Sequence, residues 1–218
     1  MEQSFWLEKW KIHDTKFDQG QPNPHLIQYL SSLNLKNNAR VFVPLCGKSI
    51  DMLWLKNKGF QIVGVELSSI ACESFFNVHQ IPFKKLETNR LIQYDAENIT
   101  LYATDFFDIS NKEIGHIDAI YDRAALIALP ERLRKNYTNH LRNIINENTK
   151  ILLISSTYNQ NEMAGPPFSV SEHEVLSLFK HFGEVKKLYD QEAKLIPEHL
   201  KEKGLTQASE QVYFITFN

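Results

Sequence analysis

Residues 40–66 read RVFVPLCGKSIDMLWLKNKGFQIVGVE. The apolar run Arg40–Pro44 meets a tight corner, Leu45-Cys46-Gly47-Lys48-Ser49. An amphipathic stretch follows, with Ser49 placed to cap its start and Gly59 just past its end. A second apolar run, Phe60–Val65, ends in Glu66. Strand, turn, helix and strand in that order make a βαβ unit. The turn lets backbone come near a ligand, and an acid at the tip of the second strand accepts hydrogen bonds from ribose hydroxyls. A nucleoside is therefore the ligand this stretch predicts.

The corner narrows the class. It is not G-x-G-x-x-G, since only Gly47 is present, which argues against a nicotinamide-linked oxidoreductase. It also lacks the upstream glycine of a phosphate-cradling loop, so Lys48 reads as exposed at the helix start. Cys46 reads as a small, semi-buried filler, because no histidine is paired with it in sequence.

Working outward, Pro24 suits a helix start, with Leu26, Ile27, Leu30 and Leu33 at helical spacing. Ser68 caps a helix through Val78. Residues 91–94 and 99–104 are short strand candidates, and Ile117–Tyr121 is a firmer one. Pro130 opens a helix with Leu133, Tyr137, Leu141 and Ile144 on one face. Lys150–Ser155 is a buried strand by composition. Ser171 and Glu174 make a capping box, and residues 184–190 and 210–217 are two final strands. The alternation predicts an α/β fold with a doubly wound, seven-stranded, mostly parallel sheet and an antiparallel edge strand. No linker or repeat divides the chain, so residues 1–218 read as a single domain with an aromatic N-terminal arm over residues 1–23.

The bulk numbers are ordinary. The chain has 218 residues, 43% hydrophobic and 23% charged, with a net charge of −2. Such a balance gives no footprint for nucleic acid, and the densest basic cluster, Arg132-Leu133-Arg134-Lys135, reads as a solvated helix face. The N-terminus lacks the apolar core of a signal peptide, and no apolar run approaches the roughly 20 residues that span a bilayer. Two cysteines outside any CxxC pair fit a reducing compartment, so a cytoplasmic protein without a membrane partner is expected. The eight histidines show no metal spacing, and no metal is expected.

Ligands of an open parallel sheet sit outside the carboxyl ends of its strands. Leu45 to Gly47, Glu66, Asp105-Phe106, Asp122-Arg123 and Ser155 to Tyr158 all fall there. Asp105 can take an adenine donor while Phe106 stacks. Arg123 can hold the carboxylate of an amino-acid tail, and Asp122 can take a proton. Trp6, Trp10 and Phe17 can close an aromatic lid over a sulfonium, which an aromatic face attracts. Gly165-Pro166-Pro167-Phe168 is a stiff turn placed to wall a substrate pocket.

Four ordered segments carry a family resemblance: FWLEKWKIHDTKFDQGQPNP, PLCGKSIDMLWLKNKGFQIVGVELS, YDRAALIALP and GPPFSVS. Together they resemble the thiopurine S-methyltransferase family, in its bacterial form, from about Phe5 to the end of the chain. The resemblance implies a class I, Rossmann-like methyltransferase fold. It also implies methyl transfer from S-adenosylmethionine, leaving S-adenosylhomocysteine. It carries donor-binding roles onto Trp10, Leu45, Glu66 and Arg123, adenine contacts onto Asp105 and Phe106, and a substrate-side role onto Phe17, with Arg123 also facing the substrate. The implied acceptors are thiopurines and related aromatic or heterocyclic thiols, with selenium and tellurium compounds as alternatives. The implied setting is detoxification by a monomer acting on small molecules. His199 stands where some relatives place an arginine, which touches the acceptor preference more than the donor. A nucleoside-binding module without catalysis is the rival reading, separated by turnover of a thiol.

Overall fold

The computed structural model describes residues 3–217. Met1, Glu2 and Asn218, which the expected domain includes, lie outside the described residues. The helices are α1 Gln3–Lys11, α2 Pro24–Tyr29, α3 Ile50–Asn57, α4 Ser69–Val78, α5 Asn111–Ile114, α6 Glu131–Ile144, α7 Glu172–Phe179 and α8 Glu198–Lys201. The strands are β1 Arg40–Pro44, β2 Gln61–Glu66, β3 Lys84–Glu87, β4 Ile92–Ala96, β5 Ile99–Ala103, β6 Ala119–Arg123, β7 Lys150–Thr157, β8 Val185–Glu192 and β9 Ser209–Thr216. They form one sheet in the order β3-β4-β5-β2-β1-β6-β7-β9-β8.

The five strands from β5 to β7 run parallel. Successive side chains of a strand point to opposite faces, so each buried strand feeds two apolar layers. Phe42, Val63, Ile120 and Leu153 join Tyr137 and Leu141 of α6 and Phe179 of α7 on one side. Val41, Val43, Ile62 and Leu152 join Leu26 of α2, Leu55 of α3 and Phe75 of α4 on the other. That is the expected doubly wound arrangement.

The strand count corrects the expected seven to nine. Lys84–Glu87 is exposed along its length and has no apolar alternation. It is a strand only because it pairs antiparallel with β4, which in turn pairs antiparallel with β5. The last strand, β9, is antiparallel as expected but lies inside the sheet, between β7 and β8. The strand expected at 117–121 begins two residues later, so Asp122 and Arg123 belong to β6 itself.

Local signals explain several boundaries. Ser49 and Ser68 cap α3 and α4 by accepting from Asp51 N–H and Ala71 N–H. Ser171 caps α7 from the side-chain oxygen, but the return half of the expected box is absent. The Glu174 carboxylate turns instead to Arg134, both oxygens lying within 2.8 Å of Nη1. Arg134 is only 3% exposed, so the basic cluster is not wholly a solvated face. A complete capping box sits at α5, between Ser110 and Glu113.

The centre of the sheet is tightly built. A Cβ added at Gly64 of β2 would lie 2.6 Å from Leu101 Cδ2 and 2.8 Å from Cys46 Sγ. Overpacking of that kind costs about 1–3 kcal/mol. Gly64→Ala should therefore lower the urea midpoint by that amount of stability, and an unchanged midpoint would show that β2 and β5 can separate freely.

Candidate active site

The carboxyl ends of the parallel strands open into a cavity of about 1170 Å³. Residues from β1, β2, β6 and β7, the loop after β5, and the N-terminal arm line it. The Pro166-Pro167 turn and the segment around α8 complete its wall.

Glu66 ends β2 and is 6% exposed. Its Oε2 accepts from Gly47 N–H at 2.9 Å and its Oε1 from Ser68 N–H at 2.9 Å. Burial raises its carboxyl pKa, and these backbone donors, with that of Leu67, oppose the rise. Each oxygen keeps a further lone pair to offer a hydroxyl. Gly47 has φ +53°, and a Cβ there would stand 3.1 Å from the Trp10 indole. The corner thus needs both the left-handed backbone and the missing side chain.

Two further residues at this rim have left-handed backbones without being glycine: Leu45 at φ 47° and Ala124 at φ 66°. Neither type favours that region. They follow β1 and β6, so two neighbouring strand ends turn sharply at the same edge of the cavity. Sequence offers no signal for either.

The arm closes one side. Trp10 is buried, and Phe17 meets the rings of Trp6 and Trp10 edge-on at 5.6 and 5.5 Å. Lys48 is not free: its Nζ lies 3.2 Å from Asp18 of the arm. Gln3 of α1 hydrogen-bonds to Asp105. Asp105 also caps the turn that follows it, accepting from Phe107 N–H at 3.0 Å. Phe106 is buried, its ring 4.9 Å from that of Tyr137.

The structure therefore brings Trp10, Phe17, Leu45, Glu66, Asp105, Phe106 and Arg123 to one cavity. It does not bring Asp122 there. Tyr121 and Arg123 point to the α3 side of the sheet, and strand alternation sends Asp122 to the other. Asp122 has no exposure and accepts from Tyr137 Oη at 2.7 Å and Leu126 N–H at 3.2 Å.

Arg123 depends on a residue the sequence did not single out. Asp51 of α3, with no exposure, lies 3.3 Å from Arg123 Nε and accepts from Tyr121 Oη and Asn23 N–H. Arg123 Nη2 donates to Gln19 of the arm at 2.7 Å. No hydrogen bond is completed at the buried Nε, and the guanidinium has donors to spare for a carboxylate. Cys46 is a deeply buried filler whose thiol burial pushes far up. His199 lines the cavity near Lys16 and Lys203, and burial and these cations hold its pKa below the ordinary value. Among the described residues no helix is long and apolar enough to cross a membrane, and no group of three or more His, Cys, Asp or Glu is placed to hold a metal ion.

Comparison with known proteins gives a consistent result. The family model described as thiopurine S-methyltransferase matches residues 1–218. A thiopurine S-methyltransferase of Aliivibrio fischeri is 43% identical over 217 residues, 99% of each chain. One of Nitrosospira multiformis is 37% identical over 215 residues, covering 99% of this chain and 98% of that protein. Among solved structures, a SAM-dependent methyltransferase from Anabaena variabilis superposes with TM-score 0.63 at 13% identity, covering 99% of this chain and 95% of that one. The Burkholderia thailandensis 1,6-didemethyltoxoflavin-N1-methyltransferase, solved with S-adenosylhomocysteine, gives TM-score 0.64 at 12% identity, covering 98% and 87%. Likeness at that identity speaks to the fold.

Asp122 supplies a test of this geometry. Burial lifts its carboxyl from 3.8 to about 6. The folded chain then keeps a proton that the unfolded chain has already released, so this group lowers stability as pH rises between those two values. Asp122→Asn removes the penalty. The stability of wild type minus that of Asp122→Asn should fall by about 2–3 kcal/mol from pH 4 to pH 7 in urea titrations. A difference that stays flat would mean the acid is not buried as described.

Proposed function

The chain belongs to the thiopurine S-methyltransferase family, and from that premise we propose that its cavity transfers a methyl group from S-adenosylmethionine to the sulfur of thiopurines and related aromatic or heterocyclic thiols. The family makes it an S-adenosylmethionine-dependent methyltransferase; the acceptor and the residue roles are our reading. The observation that carries it is the Glu66 carboxylate, held between the N–H groups of Gly47 and Ser68 at the rim of the parallel sheet.

The residues fit such a donor. Glu66 has lone pairs for the two ribose hydroxyls, and Gly47 leaves room for close approach. Asp105 and Phe106 stand beyond β5, where adenine would lie. Arg123 keeps guanidinium N–H donors beyond its ion pair with Asp51 and its bond to Gln19, and these suit the carboxylate of the amino-acid tail. When bound, the donor supplies an already activated methyl group on a sulfonium and leaves as a neutral thioether.

What remains for the protein is alignment and exclusion of water. Trp6, Trp10 and Phe17 form the aromatic roof, and their ring faces favour a sulfonium. We read residues 1–23 as an arm that closes over the donor, tied down through Lys48–Asp18 and Arg123–Gln19. Phe17, 38% exposed, supplies apolar surface on the acceptor side. Anionic selenium or tellurium nucleophiles are a second reading, supported by Lys203 on the cavity wall, whose Nζ donates to the Pro166 carbonyl rather than to a carboxylate. This cation would attract such species.

Incubation with methyl-labelled S-adenosylmethionine and 6-mercaptopurine should yield labelled S-methyl product. Calorimetry should show S-adenosylhomocysteine binding that weakens about 100-fold or more in Glu66→Ala, the loss expected for hydrogen bonds to a charged group. Unchanged affinity in that variant would reject the ribose role. Donor binding without methylation of any thiol, selenium or tellurium compound would reject the acceptor reading.

A further inference from the structure

With Asp122 turned away from the cavity, the proton of an acceptor needs another destination. Glu210, the second residue of β9, lines the cavity and is half-exposed. Its position follows from register. Arg123 pairs with Ile154, Ile154 with Val212, and Glu210 lies two residues before Val212. Arg123, Ile154 and Glu210 therefore share a face, and Glu210 stands two strands beyond Arg123 and two residues further toward the rim, about 12 Å at the usual strand spacing and rise. Glu66 and Asp105 lie in the opposite direction, toward β5. A donor held by Glu66 and Arg123 leaves the Glu210 end of the cavity to the acceptor.

The other cavity carboxylates are occupied. Asp14 pairs with Lys9, Asp18 with Lys48 and Glu202 with Lys16. Glu66 is held by backbone donors, and Asp105 caps its own turn. Glu210 is paired with an imidazole instead, its Oε2 lying 3.0 Å from His25 Nε2. His25 is buried, packs its ring 4.6 Å from that of Tyr189, and has no partner at Nδ1. A buried N–H without a partner is rarer than an under-used acceptor. The hydrogen therefore belongs on Nε2, which donates to Glu210 and holds that carboxyl below its ordinary pKa. Glu210 is an ionised, oriented acceptor at neutral pH.

We propose that Glu210 is the catalytic carboxylate of the acceptor side, receiving the ring N–H of a heteroaromatic thione and taking that proton as the sulfur is methylated, with His25 as its positioning residue. The inference rests on the thiol reading above and names the acceptor class more narrowly. In the N–H, C=S form the sulfur is a weaker nucleophile than in the deprotonated thiolate form. As the proton passes to Glu210, the N–H pair becomes part of a ring C=N bond and the C=S π pair moves onto sulfur. That sulfur forms the bond to the methyl carbon, and the breaking sulfonium bond leaves its pair on the donor sulfur. Glu210 then releases the proton to water at the rim. A simple arylthiol has no ring N–H and ionises unaided, so it does not need this carboxylate.

The test compares kcat/KM for 2-mercaptopyridine, a ring N–H thione, and thiophenol, in wild type, Glu210→Gln, Glu210→Ala and His25→Phe. Loss of general-base help should lower the pyridine thione by about 100-fold in both Glu210 variants, and thiophenol by less than about threefold. His25→Phe should reproduce the selectivity at about tenfold, as expected when a supporting partner is removed. Binding of S-adenosylhomocysteine should be unchanged in all three. Equal losses for both thiols, or no loss for either, would overturn the role of Glu210. Wild type that binds S-adenosylhomocysteine but methylates neither thiol would instead overturn the acceptor reading, and this inference with it.

Discussion

A carboxylate cannot be carried into a protein interior without partners; its lost hydration costs several kcal/mol. Asp51 is such a carboxylate, and its partners come from three directions. Asn23 N–H arrives from the junction of the arm and α2 at 2.7 Å, while Tyr121 Oη and Arg123 Nε arrive from β6 at 2.9 and 3.3 Å. Asp51 itself lies in the first turn of α3, where the helix dipole favours negative charge. Satisfying this one group joins the arm to the sheet and fixes the cation at the middle of the cavity. Gln19 then extends the same network into the arm.

A second carboxylate does similar work at the end of β2, two strands from β6. Glu66 joins the loop after β1 to the start of α4 through Gly47 and Ser68. Between these two acids the chain holds Leu45 and Ala124 in backbone regions that cost non-glycine residues of order 1–3 kcal/mol each. Such conformations persist where the surroundings over-determine them, and here they flank the cavity. The strain, the paired acids and the glycine contact with Trp10 all fall on the same rim.

Much of this was legible in the sequence where local chemistry and the final structure agree. Ser49, Ser68 and Gly59 mark the α3–α4 region because caps act over a few residues. Glu66 was visible because it ends an uninterrupted apolar strand. What failed depended on distant partners. Lys84–Glu87 has no apolar pattern and is a strand only by pairing with β4. Arg134 lies in a basic run yet is buried against Glu174, a contact 40 residues away in sequence. The strand expected to stop at Tyr121 runs on through Arg123, so Asp122 is part of β6 and not a rim residue beyond it, and strand alternation turns it away from the cavity. Asp51 and the His25–Glu210 pair carried no motif at all, and only tertiary packing reveals them.

The order of strands has a consequence for how such a protein can diversify. Leu45, Glu66, Asp105 and Phe106 all precede residue 107, whereas the wall beyond Arg123 is drawn from Ser155, Pro166, His199 and Glu210. On our reading, the grip on a shared currency molecule is encoded up to residue 123, and most of the wall that meets the methyl acceptor is encoded after it, with Phe17 and His25 as early exceptions. Substitutions in that later stretch can therefore reshape the acceptor wall while most of the contacts to the methyl source stay in place.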